Sequence, residues 1–193
     1  MLAGSMGPTK QKAARLVVDL ASTAGASEFI EVENAHVSGV SVITGGHGLR
    51  RFLADLSGDP DGKVTIPTTL NSAGCDHEKM DEMGIDHPDF LEQQFEIVHA
   101  YSGLGIEATL SCTPYDRGVK DDEGIGSWAE SNAVCFSNSY TSLITNRESG
   151  LSALATALTG WAPKWGLHLG ENRVPNILVN VKCSMSDPTD WSI

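Results

Sequence analysis

Positive charge is scarce in this sequence. Thirteen Lys and Arg face 25 Asp and Glu, a formal charge of −12. Nucleic acid and anionic membrane surfaces both need a basic footprint, so neither is an expected partner. No apolar run approaches the roughly 18 residues of a membrane span. Residues 1–10 hold no basic region followed by an apolar stretch, so no secretory signal is expected there. The sequence also lacks a Walker-type phosphate loop, a G-x-G-x-x-G after a strand and a G-x-S-x-G elbow. That sets aside the commonest nucleotide-binding and hydrolase readings. The cysteines, Cys75, Cys112, Cys135 and Cys183, show no C-x-x-C spacing, which excludes zinc ribbons and thioredoxin-like motifs. A reducing, cytoplasmic compartment is expected, with Cys75, Cys135 and Cys183 as small buried hydrophobes. What remains is an ordinary globular profile. The chain has 193 residues, 40% hydrophobic and 20% charged, enough to bury a sizeable core.

Helix, strand and polar loop recur along the chain. Ala13, Leu16, Val17, Leu20 and Ala21 form a stripe at helical spacing. Phe29, Ile30 and Val32 predict a short strand that runs into a polar loop at 34–41. Leu49, Phe52, Leu53 and Leu56 mark a short helix ending near Gly58. Residues 59–62 then make a turn, and Val64, Ile66, Thr68 and Leu70 alternate as a strand ending in a loop at 71–75. A third helix follows Pro88, with the stripe Leu91, Phe95, Val98 and Tyr101, closed by Gly103 and Gly105. Ile106, Ala108, Leu110 and Cys112 alternate as a strand that ends at 112–115. Residues 127–130 and 145–148 match the capping-box pattern of two further helices. The second carries Leu151, Leu154, Ala155 and Leu158 and stops at Gly160. Ile177, Val179 and Val181 predict a last strand leading to Cys183.

Such alternation predicts an α/β layered fold, in which ligands sit beyond the carboxyl ends of the strands. The loops at 34–41, 68–75 and 112–115 fall at predicted carboxyl ends and are expected to face one site. The ending at 186–193 carries no cap or charged tail, which predicts a partial chain.

Several residues in these loops have two readings. A Cys112 thiolate at a strand end can ligate iron or act as a nucleophile, or it is a strand cysteine buried with Ile106, Ala108 and Leu110. His36 can polarise a substrate oxygen, or hydrogen-bond backbone groups in its loop. Ser38, Gly39 and Ser41 suit an anion through hydroxyls and close backbone approach, or make a plain turn. Asn71 and Ser72 can bind a carboxylate or phosphate, or shape a strand-to-helix turn. Glu130 and Ser131 can contact substrate, although helix capping alone explains Glu130. Arg147 can fork onto an anion, or pair with Glu148 on the surface. His47, His77, His87, His99 and His168 show no metal-ligand spacing among themselves.

Taken together and in order, certain segments resemble the aconitase X family. They are Ala-His-Val-Ser-Gly-Val-Ser at 35–41, Pro-Thr-Thr-Leu-Asn at 67–71, Cys-Thr-Pro-Tyr at 112–115, Trp-Ala-Glu-Ser at 128–131, Thr-Asn-Arg-Glu at 145–148 and the Ala-rich stretch at 152–160. The resemblance covers nearly the whole chain. It implies the layered helix-strand units of that family's catalytic region, with residues 1–193 an incomplete amino-terminal part. It implies an iron-dependent dehydratase that removes water from a small anionic hydroxy acid. That acid is (R)-5-phosphomevalonate of isoprenoid biosynthesis in archaeal large subunits, and cis-3-hydroxy-L-proline in other members. The Thr-Asn-Arg-Glu stretch looks closer to the phosphomevalonate type. The resemblance further implies that Cys112 is one of three cysteine ligands of an iron–sulfur cluster. Gly39, Val40, Ser41, Asn71, Glu130 and Ser131 then line the substrate site, with Ser72 and Arg147 beside them. Ser72 stands where the phosphomevalonate type usually has Pro, and Ser149 stands where a Gly is expected. The other cluster cysteines lie outside this chain in the family, as does a serine base on a small swivelling subunit or fused domain. Two other functions compete with this one: a non-catalytic remnant that binds a small anion, and a cysteine-nucleophile enzyme using Cys112 with His36.

Overall fold

The computed structural model describes residues 1–85, 88–117 and 123–186. Its helices are α1 (Pro8–Ala24), α2 (Val42–Ser57), α3 (Pro88–Gly103), α4 (Ser131–Tyr140) and α5 (Gly150–Thr159). Its strands are β1 (Phe29–Glu31), β2 (Asn34–Val37), β3 (Thr68–Leu70), β4 (Glu123–Trp128), β5 (Ser142–Ile144) and β6 (Trp161–Pro163). β1 and β6 form a two-stranded antiparallel ribbon. The other four make a sheet of order β3-β2-β4-β5, parallel throughout. Helices and strands alternate in the layered α/β arrangement that the sequence predicts.

Strand period sorts the side chains of the sheet. Val37 and Leu70 turn to one face, into a core with Val17 of α1, Leu53 and Leu56 of α2, Ile97 and Tyr101 of α3 and Leu154 and Leu158 of α5. His36 is in register with Thr69 on one side and Trp128 on the other, so these three share the opposite face. There Trp128 and Leu143 pack with Ala133 and Val134 of α4 in a smaller cluster. α5 is buried along nearly its whole length from Ser152 to Thr159, and its small side chains let it lie between α1 and β2.

Departures from the sequence reading have local causes. The residues at 34–37, expected as loop, form β2 at the centre of the sheet. β4, β5 and β6 were not expected, because β4 reads Glu-Gly-Ile-Gly-Ser-Trp and the other two have only three residues each. The alternation at 106–112 is not a strand. Glu107 makes one bridge to Thr69, and Leu110 takes a left-handed φ of 47° that breaks extension. The buried stripe of α3 includes Tyr101 as expected but runs through Gln94 and Ile97 instead of Phe95 and Val98, and Phe95 is 47% exposed. Neither expected capping box exists. Ser127 lies inside β4, and Thr145 spends its hydroxyl accepting the Trp128 N–H at 3.0 Å. The working caps are Glu130 for α4 and a reciprocal Ser149–Ser152 box for α5. Ile177, Val179 and Val181 form no strand and are exposed. Cys75 is buried as expected, but Cys135 and Cys183 are exposed. His87 lies outside the described residues.

Candidate active site

Because the four strands run parallel, their carboxyl ends share one edge. The segments leaving that edge are 38–41 after β2, 71–74 after β3, 129–130 after β4 and 145–149 after β5. β2 connects to β3 on one side, whereas β4 connects to β5 on the other. The direction reverses between β2 and β4, the place where open α/β sheets hold ligands. Gly39, Val40, Ser41, Asn71, Ser72, Glu130, Ser131 and Arg147 all lie on or next to these segments.

Three helices start at this edge, and each start is capped by a side chain. Ser41 Oγ accepts the Ile43 N–H at 3.2 Å, Glu130 Oε1 accepts the Ser131 N–H at 3.1 Å, and Ser149 Oγ accepts the Ser152 N–H at 3.0 Å. Helix amino ends carry partial positive charge, so their convergence favours an anion in a chain with few basic residues. Arg147 adds a formal charge. Its side chain is exposed and has no ion pair or hydrogen bond among the described residues, so the alternative reading, a surface pair with Glu148, is absent.

A polar chain crosses from β3 to β4 over the end of β2. The Ser72 N–H donates to Asn71 Oδ1 at 2.7 Å, and Asn71 Nδ2 donates to Glu130 Oε2 at 2.6 Å. Beneath the loops lies Gln94 of α3, which sequence reasoning missed. Its Oε1 accepts the N–H groups of Val42 and Gly74, both at 3.1 Å, and its Nε2 donates to the Val40 carbonyl at 2.8 Å. One buried amide thus ties the β2 loop to the β3 loop. The only signal for it is the helical spacing of Gln94, Ile97 and Tyr101. Asn146 was missed as well: Oδ1 accepts the Leu167 N–H at 2.7 Å and Nδ2 donates to the Trp165 carbonyl at 3.0 Å, anchoring the turn at 165–168.

His36 is fully buried, with Nδ1 2.9 Å from Thr69 Oγ1 and no partner for Nε2 among the described residues. Burial pushes its pKa down to about 4, against an opposing pull from the Glu130 charge. The imidazole is therefore neutral near pH 7. Cys112 is exposed, which removes the buried-strand reading. Its carbonyl accepts Asn132 Nδ2 at 3.0 Å, tying it to the first turn of α4. No hydrogen bond joins it to His36, as the cysteine-nucleophile reading would need.

A cavity of about 460 Å³ opens beside Ser38 and Gly39, between the first turns of α2 and α5. α2 is kinked there at Gly46 (φ 52°, ψ −155°), a conformation open to glycine and costly for other residues. A larger hollow along the outer face of α3, of about 700 Å³, holds none of the site residues predicted above. An iron–sulfur cluster requires several thiolates. No group of three His, Cys, Asp or Glu that could hold a metal ion lies together among the described residues.

The profile of the family described as aconitase X first domain matches residues 1–171. The chain belongs to the aconitase X family. Phosphomevalonate dehydratase large subunit of Methanosarcina mazei is 39% identical over 189 residues, 97% of this chain and 46% of the relative. Cis-3-hydroxy-L-proline dehydratase of Pseudomonas aeruginosa is 36% identical over 185 residues, 94% of this chain and 31% of the relative. The crystal structure of the holo-form of Thermococcus kodakaraensis aconitase X superposes with a TM-score of 0.79 at 40% identity. That match covers 89% of this chain and 42% of the solved one. This aconitase X chain thus spans less than half the length of these relatives. No helix among its described residues is long and apolar enough to cross a membrane.

Proposed function

We propose that this chain is the substrate-orienting part of an aconitase X dehydratase that removes water from a small anionic hydroxy acid. The observation that carries the reading is the Asn71–Glu130 bridge at the sheet's reversal point, surrounded by three capped helix starts. (R)-5-phosphomevalonate is the preferred substrate, since relatives of that name reach 39% identity over 97% of this chain. Cis-3-hydroxy-L-proline is the alternative, at 36% over 94%.

In this reading, Gly39, Val40 and Ser41 present amides and a hydroxyl to the substrate anion. Asn71 and Ser131 add donors, and Arg147 closes on the anion from the β5 side with a bidentate contact. Glu130 is held rigid by its bonds to Asn71 and Ser131, and orientation of this kind is a large share of catalysis. Cys112 would hold one corner of an iron–sulfur cluster, whose iron, when bound, supplies a Lewis acid for the departing hydroxide. The remaining ligands and the proton-abstracting base would come from sequence outside this chain, with a small swivelling subunit or fused domain as partner. The relative's name, "large subunit", supports such a partner. Free thiols at Cys75, Cys112, Cys135 and Cys183 accord with a reducing, cytoplasmic setting.

The test is turnover by the enzyme assembled with its partner, followed as loss of one water by mass spectrometry. (R)-5-phosphomevalonate should be dehydrated, and Arg147→Lys should raise KM about tenfold, because lysine cannot make the forked contact. Turnover of the hydroxyproline alone would shift the substrate class. An unchanged KM would return Arg147 to the surface, and neither binding nor turnover of either acid would end the reading.

A further inference from the structure

The cavity beside Ser38 and Gly39 is lined by a polar side chain that the rest of the protein leaves unpaired. Helices α1, α2, α3 and α5, which pack on the face of the sheet opposite His36, all contribute to this cavity. Leu16, Leu49, Phe52 and Leu151 make it mainly apolar, and none of its lining residues is charged. Asn71, Glu130 and Arg147 are not part of it. Tyr101 of α3 lines it as well. That side chain is 1% exposed, and its hydroxyl makes no hydrogen bond among the described residues. Burial pushes the phenol's pKa up, so near pH 7 it keeps a proton to donate. A buried hydroxyl without an acceptor is unfavourable, and most such groups in folded proteins are satisfied. Two other hydroxyls of the lining are already engaged: Thr44 Oγ1 donates to the Ser41 carbonyl at 3.2 Å, and Ser149 Oγ caps α5. A volume of about 460 Å³ lies in the range of small-molecule pockets, which are apolar with a few placed polar groups.

We propose that this cavity binds a small uncharged aliphatic molecule, held by apolar contact with α1, α2 and α5 and by one hydrogen bond from the Tyr101 hydroxyl to an acceptor oxygen. A ketone, ester or lactone has that chemistry. A carboxylate or phosphate does not. The first turns of α2 and α5 border the cavity with partial charges only, too little to offset the desolvation of a formal anion among four apolar side chains. The ligand class differs from that of the anion site proposed above, and either reading can fail without the other.

Cyclohexanone is the probe, titrated into the whole chain and followed through the methyl signals of Leu16, Leu49 and Leu151 by carbon-edited NMR. All three should shift and saturate together. Tyr101→Phe deletes only a hydroxyl that has no protein partner to lose. That variant should keep the parental Tm and bind the ketone roughly fivefold more weakly. At Gly48, which also lines the cavity, an added Cβ meets nothing within 4 Å, so Gly48→Leu should fill the space and abolish the shifts. Inorganic phosphate should not displace the ketone. Equal affinity in the parent and Tyr101→Phe would overturn the proposal, because the phenol would not be the anchor. Displacement by phosphate, or tighter binding of cyclohexanecarboxylate, would overturn it by making the cavity part of an anion site. Shifts that follow protein concentration and ignore the ketone would overturn it by assigning the cavity to a second copy of the chain. Should Tyr101→Phe fail to fold, the other two proteins decide: no saturable shift in the parent, or parental affinity in Gly48→Leu, refutes the site.

Discussion

Replacing Gln94 with Met keeps the length of the side chain and removes its polar end. The buried amide meets three backbone groups, the N–H of Val42, the N–H of Gly74 and the carbonyl of Val40. Methionine satisfies none of them. A buried polar group left without a partner costs roughly 1–3 kcal/mol. Val42 is 8% exposed and the Gly74 loop is half-buried, so water relieves part of that cost. At about 1 kcal/mol per group the variant should lose about 3 kcal/mol. Unfolding entropy of about 2.1 cal/mol/K per residue comes to roughly 400 cal/mol/K for a chain of this size, so Tm should fall by about 7 °C. Circular dichroism melts of the two proteins measure this directly. Gln94→Glu sharpens the test: a carboxylate keeps both N–H contacts but repels the Val40 carbonyl, so its deficit should shrink as pH falls and the acid protonates. A Gln94→Met variant that melts within about 2 °C of the parent, which is under 1 kcal/mol, would refute the claim that this amide holds the two loops together.

Two further perturbations follow from the same edge. His36 is held neutral in the fold with a pKa near 4, against an ordinary value of 6.5. The unfolded chain therefore binds the extra proton first. Stability is unaffected above pH 6.5, falls as pH drops from 6.5 to 4, and levels off below, for a total loss of about 3 kcal/mol. Denaturant titrations across that range should show the slope, and His36→Gln should flatten it; an equal slope in both would place the titration elsewhere. At Gly150, an added Cβ would stand 2.3 Å from the Ser38 carbonyl oxygen, a backbone atom that cannot swing away. Gly150→Ala should cost roughly 1–3 kcal/mol and push the loop at 38–41 outward. A variant with parental Tm and parental phosphate affinity would show that the two loops do not press on each other.

The sequence reads well where one physical signal dominates and poorly where two compete. α1 was legible from apolar spacing, and the end of α5 because apolar spacing and the terminal Gly160 agree. β2 was not, because Asn34 and His36 look like loop chemistry while facing the interior of a sheet. Asn34 earns its place by accepting Trp128 Nε1 at 2.7 Å, a partner 94 residues away. The proposed site residues came from short motifs, and the sheet explains why four of those motifs are scattered: those at 35–41, 67–71, 128–131 and 145–148 each lie at the end of a different strand, whereas the one at 112–115 follows none. Gln94 escaped because a polar residue on a helix reads as solvent-facing until the loops above it are seen. Glu130 had a bland explanation as the third position of a capping box, and the structure replaces it: Glu130 is itself the N-cap of α4. The same carboxylate caps α4 and accepts Asn71, so the helix cap and the proposed site share one group.

The proposed anion site draws mostly on neutral dipoles, in a molecule that carries twelve surplus negative charges. The two act over different ranges. Helix ends reach only a few ångströms, whereas net charge is felt out to a Debye length, roughly 10 Å at moderate ionic strength. An approaching anion is first repelled and only then held. Dissolved ions mute the outer repulsion while leaving the inner contacts largely alone. The approach of an acidic ligand therefore quickens as salt is added, the reverse of what a basic cleft gives.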